Sequence, residues 1–115
     1  MDMNITEVRR KSALVLNPHG WVDATNADVL RKKLDEYLVT SGSNIIINMK
    51  HLQYVSSAGW AALLELAKKV RSKGGNLRFA SMNEEVFEVF NSMGLDKVVE
   101  AYKTEREALK SFRMH

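Results

Sequence analysis

The chain of 115 residues contains no cysteine and a single proline. Without a thiol, disulfide scaffolds, thiolate zinc sites, iron–sulfur clusters and cysteine nucleophiles are excluded, and the absence fits a reducing compartment. No apolar run approaches the about 18–20 residues of a membrane-crossing helix, so no membrane insertion is expected. The start, Met1-Asp2-Met3-Asn4-Ile5-Thr6-Glu7, lacks a basic region followed by an apolar stretch, so no secretory signal is expected. Together these absences lead to the expectation of a cytoplasmic protein. Neither sign of charge dominates, since 17 Lys and Arg against 14 Asp and Glu leave +3. The basic residues are scattered over Arg9-Arg10-Lys11, Arg31-Lys32-Lys33, Lys68-Lys69, Arg71 and Lys73. A nucleic-acid surface clusters such residues on one face with interleaved aromatics, so no direct nucleic-acid partner is expected and these are read as solvated faces. What remains is a globular composition, 45% apolar and 27% charged, at a length that suits one domain spanning 1–115.

Hydrophobic periodicity divides that domain into alternating elements. Segments 4–9 and 12–16 read as short strands, and Asn17-Pro18-His19-Gly20 reads as a break. From Asp23, apolar residues at Ala27, Leu30, Leu34, Tyr37 and Leu38 repeat with the rhythm of one helix face. Thr25 with Asp28 resembles a capping box, with Asp23 or Thr25 as the cap, and Ser41-Gly42-Ser43 ends the helix. Ile45-Ile46-Ile47 does not alternate, as expected of a central strand covered on both faces. Residues 49–56 read as a loop into a second helix with Trp60, Leu63, Leu64, Ala67 and Val70 inward and a Glu65–Lys69 pair outward. Gly74-Gly75 stops it, and Leu77-Arg78-Phe79-Ala80 forms a strand. Asn83 caps a third helix with Val86, Phe90 and Met93 inward and Gly94 as its stop. Val98-Val99 reads as an edge strand, and Thr104 with Glu107 opens a last helix through Ala108, Leu109 and Phe112. The expected order is β-β-α-β-α-β-α-β-α: an α/β fold whose mixed sheet of about five strands is covered by about four helices.

Few residues suggest chemistry. His19, His51 and His115 stand apart without a carboxylate or second histidine at ligand spacing, so no metal and no cofactor are expected. Ser57 superficially suggests a nucleophile elbow, but Val55 stands where that motif needs glycine. No general base follows at a recognisable spacing, so no catalytic residue is assigned and an enzyme is not expected. The stretch Val55-Ser56-Ser57-Ala58-Gly59-Trp60 does stand out, because two hydroxyls and a glycine fall where a loop becomes a helix. One reading is an N-cap serine. The other is a phosphorylation site, since a helix N-terminus stabilises the added negative charge.

At these residues the sequence resembles the STAS domain family, specifically the small bacterial anti-sigma factor antagonists. Its hallmark, Asp-Ser-Ser/Thr-Gly-Leu-Gly after a strand, corresponds to Ser56-Ser57-Ala58-Gly59-Trp60 after Ile45-Ile46-Ile47-Asn48-Met49 and Leu52-Gln53-Tyr54-Val55. Gly20-Trp21-Val22-Asp23 matches the Gly-x-x-Asp element, and Gly74-Gly75-Asn76-Leu77 and Phe87-x-x-Phe90-x-x-Met93-Gly94-Leu95 follow downstream.

The resemblance implies a single STAS domain, 1–115, that acts by partner switching in transcription regulation. Unphosphorylated, it would bind an anti-sigma factor that is also a serine kinase and so release a sigma factor. Phosphorylation of Ser57 would end that interaction and a PP2C-type phosphatase would restore it. Ser56, standing where the family has aspartate, is the alternative acceptor, and Ala58 replaces the second hydroxyl residue. The expected partner-binding residues are Asp23, Ser56, Ser57, Gly59, Trp60 and Met82. Trp60, in place of leucine, has two placements: half exposed as an interface anchor, or inside the core. The free protein is expected to be a monomer. The alternative function is an unregulated structural STAS subunit of a signalling or lipid-transport complex.

Overall fold

The computed structural model describes residues 4–40 and 44–113. Six strands and four helices alternate along them: β1 Asn4–Arg9, β2 Leu14–Val22, α1 Ala27–Thr40, β3 Asn44–Asn48, β4 Leu52–Val55, α2 Ser57–Ser72, β5 Asn76–Ala80, α3 Glu84–Ser92, β6 Ala101–Tyr102 and α4 Glu105–Arg113. The sheet runs β1-β2-β3-β5-β6, with β4 attached to the far end of β2. The β1–β2 pair is antiparallel and every other pairing is parallel. This is the mixed α/β architecture expected, with one strand more.

The extra strand is β4, within the segment read as a loop. Only its two ends are buried, so it carries no alternation that sequence periodicity could register. The proline break is also corrected, for β2 runs through Pro18 without interruption. On one side, β2 pairs β3 through Leu14–Leu16 and β4 through Gly20–Val22. Pro18 lies between the two ladders, where on that side its missing N–H is not needed.

The core has two unequal layers. Ile45 and Ile47 of β3 and Leu77 and Phe79 of β5 face α1, α2 and α3, which contribute Leu30, Leu34, Trp60, Leu63, Val86 and Phe90. On the opposite face Val15, Ile46 and Ala80 meet Ala108 of α4. The isoleucine triplet is therefore buried from both sides, as its lack of alternation implied. Arg78 points to the α4 side at 5% exposure. Its guanidinium stacks 4.1 Å from the Phe112 ring centroid and pairs with Glu100 at 2.9 Å, so a charge in that layer is met by partners rather than left bare.

Helix ends follow the local chemistry. Asn83 accepts the Val86 N–H at 2.8 Å and Thr104 accepts the Glu107 N–H at 3.1 Å, the caps the sequence indicated. Gly94 adopts φ 72°, the left-handed conformation of a helix stop. Four details differ. The Thr25–Asp28 box does not form, because Thr25 turns back to Asp23. Met93 is 47% exposed, since it lies at the end of α3 where Phe90 and Leu95 already fill the core. Val98 and Val99 both donate to the Leu95 carbonyl, closing a 3-10 turn over Leu95–Lys97 instead of a strand. Glu65 pairs with Arg31 and Lys69 with Asp35, so these charges join α2 to α1 rather than each other. The Leu38 side chain, Ser41-Gly42-Ser43 and His115 lie outside the described residues.

Candidate functional site

The chain's hydroxyl-rich turn sits where the end of β2 meets the start of α2. The backbone N–H of Ser56 donates to the Val22 carbonyl at 2.8 Å, so the residue before Asp23 and the residue before Ser57 are directly joined. Gly59 makes the closeness possible. A Cβ built there would stand 2.5 Å from the Val22 carbonyl oxygen, so only glycine lets the first turn of α2 seat against β2. Gly59 is itself buried and positions the site from beneath.

The two serines have different surroundings. Ser56 is the N-cap of α2, its Oγ accepting the Gly59 N–H at 3.1 Å. Ser57 is the first residue of the helix and is exposed. Among the described residues its hydroxyl makes no hydrogen bond. The first turn of α2 also lacks an acidic residue, whereas those of α1, α3 and α4 contain Asp28, Glu84 with Glu85, and Glu105 with Glu107. The positive end of this 16-residue helix thus has no carboxylate from its own first turn.

Asp23 is held by a local network. Its Oδ1 accepts the Thr25 N–H at 2.8 Å and the Thr25 hydroxyl, and its own N–H donates to Asn26 Oδ1 at 2.9 Å. Buried Asn26 donates in turn to the Trp21 carbonyl at 2.8 Å. The Tyr54 hydroxyl donates to Asp23 Oδ2 at 3.3 Å. Hydrogen bonds, that from the Thr25 side chain first, hold the Asp23 carboxyl below its ordinary pKa against a smaller opposing effect of burial. Asp23 is therefore an oriented anion, and no described hydrogen bond makes it a proton donor.

Sequence reading missed the aromatic pair beside it. Trp21 of β2 and Tyr54 of β4 are register partners, hence on one face of the sheet, and are 38% and 47% exposed. The next pair, Val22 and Val55, turns inward to the main core. The pairing was invisible because β4 itself was unrecognised. The same junction brings His19 and His51 into a stack, with ring centroids 4.4 Å apart and planes 4° from parallel, although they were read as isolated. Among the described residues there is no cluster of three or more metal-ligating side chains.

Trp60 and Met82 lie apart from this face. Trp60 is completely buried, its ring centroid 5.8 Å from that of Phe79 and 5.6 Å from that of Phe90, so the core placement holds and the half-exposed one does not. Helical spacing already put it on the inward face of α2. Met82 is partly buried against the main core and lines a crevice beside β6. Its loop is tied to the site indirectly, through Asn83, whose Nδ2 donates to the Leu52 carbonyl on β4 at 3.2 Å.

The chain is 26% identical over 110 residues to the anti-sigma F factor antagonist of Paenibacillus polymyxa, covering 95% of this chain and 94% of that one. It is 27% identical over 100 residues to the anti-sigma-B factor antagonist of Bacillus subtilis, covering 87% and 91%. In structure it resembles the anti-sigma factor antagonist SpoIIAA in its unphosphorylated form, with TM-score 0.78, 20% identity and coverage of 98% and 97%. SpoIIAA in its phosphorylated form gives TM-score 0.68 at 19% identity, over 95% and 97%. The family model for the STAS domain matches residues 4–108. With the model spanning the sheet, all three helices of the main layer and the start of α4, this chain belongs to the STAS domain family.

Proposed function

We propose that this protein is an anti-sigma factor antagonist: a binding module that, unphosphorylated, captures an anti-sigma factor with serine-kinase activity and so frees a sigma factor. The observation that carries the reading is the Ser57 hydroxyl, exposed and, among the described residues, without a hydrogen bond, at the first position of a helix lacking an acid in its first turn. Ser57 is the acceptor in preference to Ser56, whose oxygen is occupied as the cap. In the kinase complex the Ser57 oxygen attacks the γ-phosphorus of ATP, the bond to ADP breaks, and the serine proton departs. The product carries about −1.5 to −2 charges where the helix dipole favours an anion. A partner that bound the neutral serine beside Asp23 then meets a second anion and added bulk, and releases. A phosphatase of the PP2C type would hydrolyse the ester and return the hydroxyl.

The binding face is Asp23, Ser56 and Ser57 with Trp21 and Tyr54 alongside. Tryptophan and tyrosine are among the side chains that dominate interface energetics. Gly59 and Trp60 serve the face by holding α2 in place and do not touch a partner. The names of these three relatives, each an anti-sigma factor antagonist, agree with this reading.

Site-mapped mass spectrometry of the protein from growing and stressed native cells tests it, together with co-purification on Ser57→Ala and Ser57→Asp baits. The expected result is one phosphoryl group on Ser57 and an ATPase-type partner kept by the alanine bait but lost by the aspartate bait. Phosphate on Ser56 would move the acceptor by one residue. No phosphate under any condition, with equal capture by both baits, would overturn the switch and favour a constitutive structural subunit.

A further inference from the structure

The chain leaves β5 and β6 in opposite directions. After β5 it enters α3, which packs in the main core, and after β6 it enters α4, which packs on the other face of the sheet. Between neighbouring parallel strands whose following connections diverge to opposite faces, neither connection fills the space beyond the strand ends, and ligands lodge there in open α/β sheets. This protein has a cavity of about 320 Å³ at that place, lined by Met82, Glu84, Phe87, Ala101, Tyr102 and Lys103. Met82 comes from the first connection and Lys103 from the second, so the diverging segments are its walls.

Four features make it more than a gap. Ala101, the residue opposite Phe79 in the β5–β6 ladder, is small and leaves the floor open. Ser81 holds φ 61°, a left-handed conformation costly for a residue with a Cβ, and its N–H donates to the Tyr102 carbonyl at 3.0 Å, which ties the loop to β6. The walls are chiefly apolar, and one of them, Phe87, is 46% exposed overall. Two opposite charges, Glu84 and Lys103, complete the lining, and among the described residues neither is engaged in an ion pair.

We propose that this crevice binds a small zwitterion with an apolar body, namely a free α-amino acid with an aromatic or branched side chain. The side chain would lie among Met82, Phe87 and Tyr102, the carboxylate at Lys103 and the ammonium at Glu84. The volume is at the small end of ligand pockets, about 300–1,000 Å³, which suits one amino acid and not a nucleotide. The apolar lining and the carboxylate at the rim disfavour phosphate. This site is separate from Ser57 and does not depend on its phosphorylation.

Titration of the full ¹⁵N-labelled chain with L-phenylalanine, read by amide shifts, tests the proposal. Saturable shifts confined to residues 81–87 and 101–104 are expected. 3-Phenylpropionate, without the ammonium, and 2-phenylethylamine, without the carboxylate, should each bind about two- to fivefold more weakly, the worth of one exposed charge pair. Lys103→Ala should weaken L-phenylalanine and 3-phenylpropionate by that factor and leave 2-phenylethylamine unchanged. Glu84→Gln should show the converse, and Ala101→Leu, which fills the floor, should abolish the shifts. Non-saturable shifts, shifts centred elsewhere, 3-phenylpropionate binding as tightly as L-phenylalanine, or no effect of Lys103→Ala would each overturn it.

Discussion

The hydroxyl of Tyr54 and the carboxylate of Asp23, 31 residues apart in sequence, meet in a hydrogen bond of 3.3 Å that closes β4 onto the end of β2. Each titrates away from its ordinary value. Partial burial, then the Asp23 charge and the shared hydrogen bond, raises the tyrosine, while hydrogen bonds led by the Thr25 side chain lower the aspartate. In Asp23→Asn the Tyr54 pKa should fall only part of the way to that of free tyrosine, because burial persists. Site-resolved ¹³C NMR against pH measures it, and an unchanged value would show that the two groups are uncoupled. The Asp23 contribution is present above the ordinary carboxylate pKa and is lost as pH falls through the lower folded value. The Tyr54 contribution is present below the ordinary tyrosine pKa and is lost as pH rises through the higher folded value.

Adjacent serines should respond oppositely to substitution. Ser56→Ala removes the N-cap and should cost about 1 kcal/mol. Ser57→Asp places an acid in the first turn of α2 and should stabilise by about 0.3–1 kcal/mol. Urea denaturation distinguishes them, and equal effects would mean that the cap assignment is wrong.

Gly59→Ala drives a methyl group to 2.5 Å from the Val22 carbonyl oxygen. Backbone cannot swing aside as a side chain can, so a loss of about 1–3 kcal/mol is expected. Thermal unfolding measures it, and a wild-type midpoint would show that α2 is free to shift.

Trp60→Ala should cost about 3–5 kcal/mol as a cavity in the main core. Trp60→Phe should cost considerably less. It keeps an aromatic ring against Phe79 and Phe90 and removes an indole N–H that is buried without a partner among the described residues, a group whose burial costs about 1–3 kcal/mol. Chemical denaturation of the two variants decides it. Equal losses would mean that ring packing is not what Trp60 contributes.

Two helix caps and the isoleucine run are legible in the sequence, whereas the Thr25–Asp28 box, the Glu65–Lys69 pair, the break at Pro18 and the pairings between distant segments are not. Asn83 and Thr104 announce their helices because a cap satisfies N–H groups three residues away. The Ile45–Ile47 run announces a strand covered twice because the pattern is contained in the strand. By contrast, β4 exists through its pairing with β2, and Leu52–Val55 has no alternation to reveal it. With β4 unrecognised, Trp21 against Tyr54, Tyr54 against Asp23 and His19 against His51 were all out of reach. Trp60 could be placed on the inward face of a helix by spacing, but how deep that face lies depends on Phe79 and Phe90 from two other elements. The Ser56–Ser57 register follows from the family pattern, whereas the difference between a capping hydroxyl and one that bonds nothing among the described residues exists only in the folded turn.

The seating of α2 on Val22 has a consequence for how a modified serine is read. With Gly59 packed against the backbone of β2 and Ser56 bonded to it, the helix has no slack with which to recoil from a new charge at Ser57. The two chemical forms should therefore superpose in backbone, and a partner would tell them apart as one would tell two coins struck from the same blank: by relief and charge at a single point, with no message carried through the interior.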